Sequence, residues 1–86
     1  MTYTVVIPKT VQKQLDDLPG DVYRRVIEKV QNLAEEPRPP GVVKLKGFDC
    51  EYRIRVGDYR VRYEVDDQKL IVILLLCRHR RDVYKR

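Results

Sequence analysis

The sequence predicts an α+β fold in a single domain over residues 1–86, with an N-terminal strand and a helical hairpin lying on a sheet. Three observations predict it: two helix-period segments near the start, strict alternation on both sides of Gly57-Asp58, and the unbroken apolar run Leu70 to Cys77. Eighty-six residues suit one modest core.

The elements follow in order. "TYTVVI" at 2–7 is rich in β-formers and stops at Pro8, which suits a strand followed by a helix start. Val11, Leu15 and Leu18 recur at helical spacing through "KTVQKQLDDL", giving a short amphipathic helix that ends near Pro19-Gly20. Asp21 is the candidate N-cap of a second helix. Its stripe is Val22, Val26, Ile27, Val30, Leu33 and Ala34, with Arg24, Arg25, Glu28 and Lys29 mainly outside it. "EPRPPG" at 36–41 can continue neither helix nor central strand and reads as a loop, not a domain boundary.

After the loop come a short strand around Val43–Leu45, hairpin strands at about 50–56 and 59–65, and a turn at Asp66-Asp67. Gly57-Asp58 is a two-residue turn signal with Gly first. Cys50, Tyr52, Ile54 and Val56 should share the helix-facing side with Tyr59, Val61, Tyr63 and Val65. The run "KLIVILLLC" lacks alternation, as a strand covered on both faces does, and is expected in the middle of the sheet. Its second face needs a cover, which the basic tail "RHRRDVYKR" could supply only in part and a bound partner could complete.

The hairpin register would place Arg55 opposite Arg60 and Arg53 opposite Arg62, and directly opposed like charges cost stability. A solvated strand surface is the bland explanation for charges alternating on one face. Against it stand the opposition itself and a second basic cluster, Arg78, Arg80, Arg81, Lys85 and Arg86, which the last strand should bring to the same sheet. The net charge of +5 is unevenly spread: residues 44–62 carry six positive and three negative side chains, and residues 78–86 five and one. With Lys44 and Lys46 this makes a basic surface long enough for several phosphates, or for an acidic protein segment.

Two cysteines, Cys50 and Cys77, and a lone His79 give no zinc ligand set, so no metal and no cofactor are expected, and both thiols read as reduced packing residues of a cytoplasmic protein. No signal peptide is visible, and an eight-residue apolar run is too short to span a bilayer, so no membrane partner is expected. His79 and Tyr84 are packing residues on the bland reading. Beside so many arginines, His79 could instead transfer a proton and Tyr84 could stack on a base or hold a proton near a scissile phosphate. Any catalysis would be built from Arg, His and Tyr.

The order strand, helix, helix, strands, with "KLKG", "YRIRVGDYRVRYEV" and "HRRDVY" in sequence, resembles the RelE/ParE toxin superfamily of toxin–antitoxin modules across essentially the whole chain. The resemblance implies a curved, mainly antiparallel sheet on an N-terminal helical hairpin. For RelE-like members it implies cleavage of mRNA in the ribosomal A site, and for ParE-like members action on DNA gyrase. It also implies a cognate, RelB-like antitoxin that silences the toxin, with operator DNA bound only through the antitoxin complex.

Carried over, the basic pair of the first hairpin strand falls on Arg53 and Arg55, the arginine of "DYR" on Arg60, and the terminal tyrosine on Tyr84. The arginine ending the last strand is Arg78 by ungapped spacing from Tyr84 and Arg80 by motif, the latter preferred. Some RelE toxins have lysines where Arg53 and Arg55 stand, and arginine holds a phosphate but is a poor general base.

The implied reaction is metal-independent attack of a ribose 2′-OH on the adjacent phosphate. Arg60 and Arg80 would stabilise the developing charge, and His79 or Tyr84 would shuttle a proton. Lys44, Lys46, Arg53, Arg55, Arg62, Arg78 and Arg81 would bind the RNA. The alternatives are a ParE-like gyrase inhibitor on the same fold and a non-catalytic member that binds only antitoxin and operator.

Overall fold

A computed structural model of the protein describes residues 2–45, 47 and 50–81. In chain order the elements are β1 (Thr4–Val6), α1 (Lys9–Asp16), α2 (Gly20–Asn32), β2 (Val43–Lys44), β3 (Glu51–Val56), β4 (Tyr59–Asp66) and β5 (Ile71–His79). The five strands form one sheet in the order β1-β5-β4-β3-β2. β1 runs parallel to β5 and every other pair is antiparallel. β5 is thus an inner strand, as its unbroken apolar run predicts, and β4 lies at the centre.

Both helices start behind a proline in extended conformation, Pro8 at φ −61° and Pro19 at φ −55°. The fixed φ of proline and its missing N–H suit a helix entrance. Asp21 is therefore not the N-cap of α2. It lies in the first turn, where its charge favours the positive end of the helix dipole. α1 packs against β5 and α2 against β3.

Val11, Leu15, Val26, Val30 and Leu33 from the helical side meet Tyr52, Ile54, Val56, Val61, Tyr63, Val65, Val72, Leu74 and Cys77 from the sheet in one core. Every second residue of β3 and β4 is buried, so the pleat leaves the other face of the sheet open. Cys50 departs from the expected core face: it is exposed and precedes β3 in a turn, where the pleat no longer fixes the side chain's direction.

The proline loop is fastened by side chains. Arg38 grips Asp67 with two hydrogen bonds (3.2 and 2.8 Å), donates from Nε to Tyr52 Oη at 2.9 Å and lies 5.1 Å from the Tyr52 ring centroid. Tyr3 donates to Asp67 at 2.6 Å, and the fully buried Tyr63 donates to the Pro37 carbonyl at 2.7 Å. Burial raises the Tyr63 phenol above its ordinary pKa, so it remains a donor. None of these loop contacts is announced by a periodicity.

Candidate nucleic-acid interface

The β3–β4 hairpin turns at Gly57-Asp58, with Val56 paired to Tyr59. Gly57 has φ 58° and Asp58 is not among the positive-φ residues, the pattern of a type II′ turn. A two-residue loop fixes the register: Arg53 stands opposite Arg62, and Arg55 opposite Arg60. All four lie on the open face, since the buried residues of both strands are their chain neighbours.

β5 adds a third member to the row through an irregularity. Arg62 pairs with Leu76 and Tyr63 with Leu74, so Leu75 is an extra residue and the alternation of β5 shifts phase there. Strict alternation from Val72 and Leu74 would turn Arg78 toward the helices. The bulge instead buries Cys77 and presents Arg78 on the open face, directly opposite Arg60. Arg55, Arg60 and Arg78 therefore stand abreast across three strands, about 10 Å from first to last.

The same shift separates His79 from this row. His79 pairs with Tyr59 on the helix-facing side, its ring 5.2 Å from the Tyr59 ring and nearly perpendicular to it. Its Nδ1 accepts the Arg81 N–H at 3.2 Å, so the neutral ring carries its proton on Nε2. The structure does not bring His79 to Arg60, contrary to the expected grouping. Lys44 is also on the other side of the pleat: it pairs with Tyr52, and Val43, 44% exposed, joins the arginine face beside Arg53.

Arg80 lies just past β5 and is exposed; its N–H donates to the Asp58 carbonyl at 2.7 Å and its Nε is 3.8 Å from the Asp58 carboxylate. Arg81 is exposed beyond it. Lys46 and Tyr84 lie outside the described residues.

The charge on the face is only partly met from within. Glu51 pairs with Arg62 at 2.6 Å, and Arg55 Nε donates to the Gly57 carbonyl at 2.9 Å. Arg60 Nη1 is buried without a hydrogen-bond partner, and a desolvated guanidinium nitrogen with no acceptor is costly. Sequence reasoning missed the Glu51–Arg62 pair, although the hairpin register that opposes the arginines also puts Glu51 opposite Glu64.

Around the arginines the open face is apolar along β5 and β1, where Ile71, Ile73, Leu75 and Leu76 are half-buried and Val6 is exposed. A concave cleft of about 800 Å³ lies between the end of α2, the proline loop and β3, with Lys29, Asn32, Glu36 and Pro40 among its lining, and it reaches Arg55 and Gly57 at the hairpin end of the arginine row. The row itself is an open strip fit for an extended polymer. Among the described residues no group of His, Cys, Asp and Glu could hold a metal ion, and no helix is long and apolar enough to cross a membrane. Cys50 and Cys77 are free, and burial pushes the Cys77 thiol up to about 11.

Comparison with known proteins agrees with this architecture. Residues 5–84 match the family described as "ParE toxin of type II toxin-antitoxin system, parDE". The putative toxin RelE1 of Methanocaldococcus jannaschii is 35% identical, covering 99% of this chain and 98% of its own. Toxin RelG of Mycobacterium tuberculosis is 32% identical over the whole of both chains. Among solved structures, the archaeal RelE–RelB complex from Pyrococcus horikoshii superimposes with a TM-score of 0.83 at 41% identity, covering 93% of this chain and 97% of that one. Fold, length and sequence agree, and the chain belongs to the RelE/ParE superfamily of type II toxin–antitoxin toxins.

Proposed function

We propose that this toxin is an endoribonuclease that cuts mRNA in the ribosomal A site, stopping translation, and that a RelB-like antitoxin neutralises it. The observation that carries the reading is the row Arg55, Arg60 and Arg78, three guanidiniums brought abreast on the open face by the hairpin register and the β5 bulge. RelE-named relatives and RelE–RelB complexes of the same fold support it.

The reaction is attack of a ribose 2′-oxygen on the adjacent phosphorus, expelling the 5′-oxygen and leaving a cyclic phosphate. Guanidiniums fixed on a sheet stabilise charge developing on the phosphoryl oxygens, the role in which preorganised cations contribute most, and they do so without a metal. Arg60 takes that role from the middle of the row, with Arg80 at the strand end. Arg53, Arg55, Arg62, Arg78 and Arg81 hold the backbone, and Lys44 and Lys46 add to its binding. Arginine does not surrender its proton, so another group must take the one from the 2′-OH. His79 or Tyr84 takes it and returns it to the departing 5′-oxygen; His79 stands against Tyr59 and reaches the row only by swinging around the end of β5. Operator DNA is bound only through the antitoxin complex, and the protein works in the cytoplasm.

The ParE description of the matched family favours a second reading, inhibition of DNA gyrase. Mapping cuts in a defined mRNA on programmed ribosomes, beside free RNA and a gyrase supercoiling assay, separates the two. We expect A-site cuts and little cleavage of free RNA. Arg60→Ala should lower the rate by about 10²-fold or more while antitoxin binding survives. Intact mRNA with inhibited gyrase would establish the second reading instead.

A further inference from the structure

The open face carries a second charged row that phosphate binding leaves unused. Glu51 stands directly opposite Glu64, and Glu64 stands beside Ile73, one row further from the hairpin turn than Arg53, Arg62 and Leu76. Opposed carboxylates cost stability just as opposed arginines do. Exchanging Arg62 with Glu64 in the sequence would have alternated the signs, yet the face keeps them sorted, basic at the hairpin end and acidic beyond. Glu51 is tied to Arg62 at 2.6 Å. Half-buried Glu64 makes no hydrogen bond or ion pair among the described residues, and its nearest cations on the face stand a full row away.

We infer that Glu51 and Glu64 form an electrostatic stop that confines a bound phosphate backbone to the hairpin end, so that a single strand crosses the sheet along Arg55, Arg60 and Arg78 instead of running along the strands. The inference rests on the phosphate-binding reading above and adds direction and footprint to it. A phosphate over the Arg53–Arg62 row would sit about 7 Å from the carboxylates, two residues along the strand. That is inside the Debye length of about 8 Å at physiological ionic strength, so salt does not remove the repulsion. Arg62 is already offset by Glu51 and attracts phosphate less than its neighbours do.

The row itself is about 10 Å across and has room for roughly three phosphates of a single strand. A duplex, whose second strand must also be placed, would put phosphates over Glu51 and Glu64. The acidic row therefore selects single-stranded RNA, and Glu64 is the residue that sets the limit.

The test is the salt dependence of binding for the wild-type protein, Glu64→Gln and Arg60→Ala. The probes are a 2′-O-methyl single-stranded RNA, which lacks the attacking hydroxyl, and a duplex of the same length. For the wild type on the single strand, log K should fall against log salt with a slope of about −2, the value for three neutralised phosphates. Glu64→Gln should steepen that slope by about 0.7 for each phosphate admitted, and should tighten binding to the duplex several-fold more than to the single strand.

The Glu64 carboxylate has no hydrogen bond to lose, so the variant should melt no lower than the wild type. Parallel salt plots with an unchanged single-strand to duplex ratio would overturn the stop and leave the phosphate reading intact, provided Arg60→Ala still weakens binding. Binding that Arg60→Ala leaves unaltered would remove both.

Discussion

Arg38 sits in a loop of prolines, and its guanidinium fork, bidentate on Asp67 and bonded to Tyr52, draws the loop, β3 and the β4–β5 turn onto one point that Tyr3 completes from the N-terminal side. The hydrogen bonds from Arg38, and after them the one from Tyr3, hold the Asp67 carboxyl below its ordinary pKa. A depressed carboxyl stabilises the folded state above its unfolded pKa of about 3.9, and that contribution disappears as pH falls through the lower folded value. We expect Asp67→Asn to be less stable than the wild type at neutral pH and the gap to close below about pH 4. Denaturant titrations of both proteins between neutral pH and about pH 2 check this. A gap that stays constant with pH would show that the carboxylate's charge is not what the cluster uses.

At the scale of elements, the hairpin was legible because alternation and a Gly-Asp turn fix each other: once the loop has two residues, every cross-strand pair follows. The turn is also where that legibility can be tested. Gly57 has φ 58°, and an added Cβ would meet the Arg25 guanidinium at 3.5 Å, ordinary contact with a flexible side chain. Backbone strain alone should therefore make Gly57→Ala less stable by about 1–2 kcal/mol, measured by chemical denaturation. A neutral result would mean that the turn relaxes to another type.

Other elements were less legible. In "IVILLLC" no alternation is available to reveal the extra residue at Leu75, so the side on which Arg78 and His79 emerge could not be counted from the sequence. Cys50 was placed on the core face by extending a pattern one step beyond the strand that enforces it. Arg38 belongs to no repeat at all. Period-2 and period-3.6 patterns report what a regular backbone does, and the features that escaped them lie where the backbone is irregular.

Taken as a whole, the molecule keeps a well-packed side and an unfinished one. Among the described residues, the core between helices and sheet contains no buried polar or charged residue. The opposite face holds opposed arginines, opposed glutamates and half-exposed aliphatic side chains. Removing one arginine should make the free protein more stable while depriving it of its proposed activity. We expect Arg60→Thr to gain about 0.5 kcal/mol at low ionic strength and the gain to shrink as salt rises toward 1 M. Equal stability changes at both ionic strengths would indicate that packing, not repulsion, governs that position.

The pairing of β1 with β5 has a temporal meaning as well. The N-terminal strand leaves the translating ribosome early, but its partner in the sheet lies 67 residues later, at Val5 and Val72. The strand that carries Val72, Leu74 and Cys77, on which α1 lies, is synthesised last of all the elements. Until it emerges, the helical hairpin has only part of its sheet to cover, and loop closure of this length must precede any reward from contact. The sheet therefore cannot close over β1 and α1 until β5 has been translated, which makes its completion a late event in the life of the nascent chain.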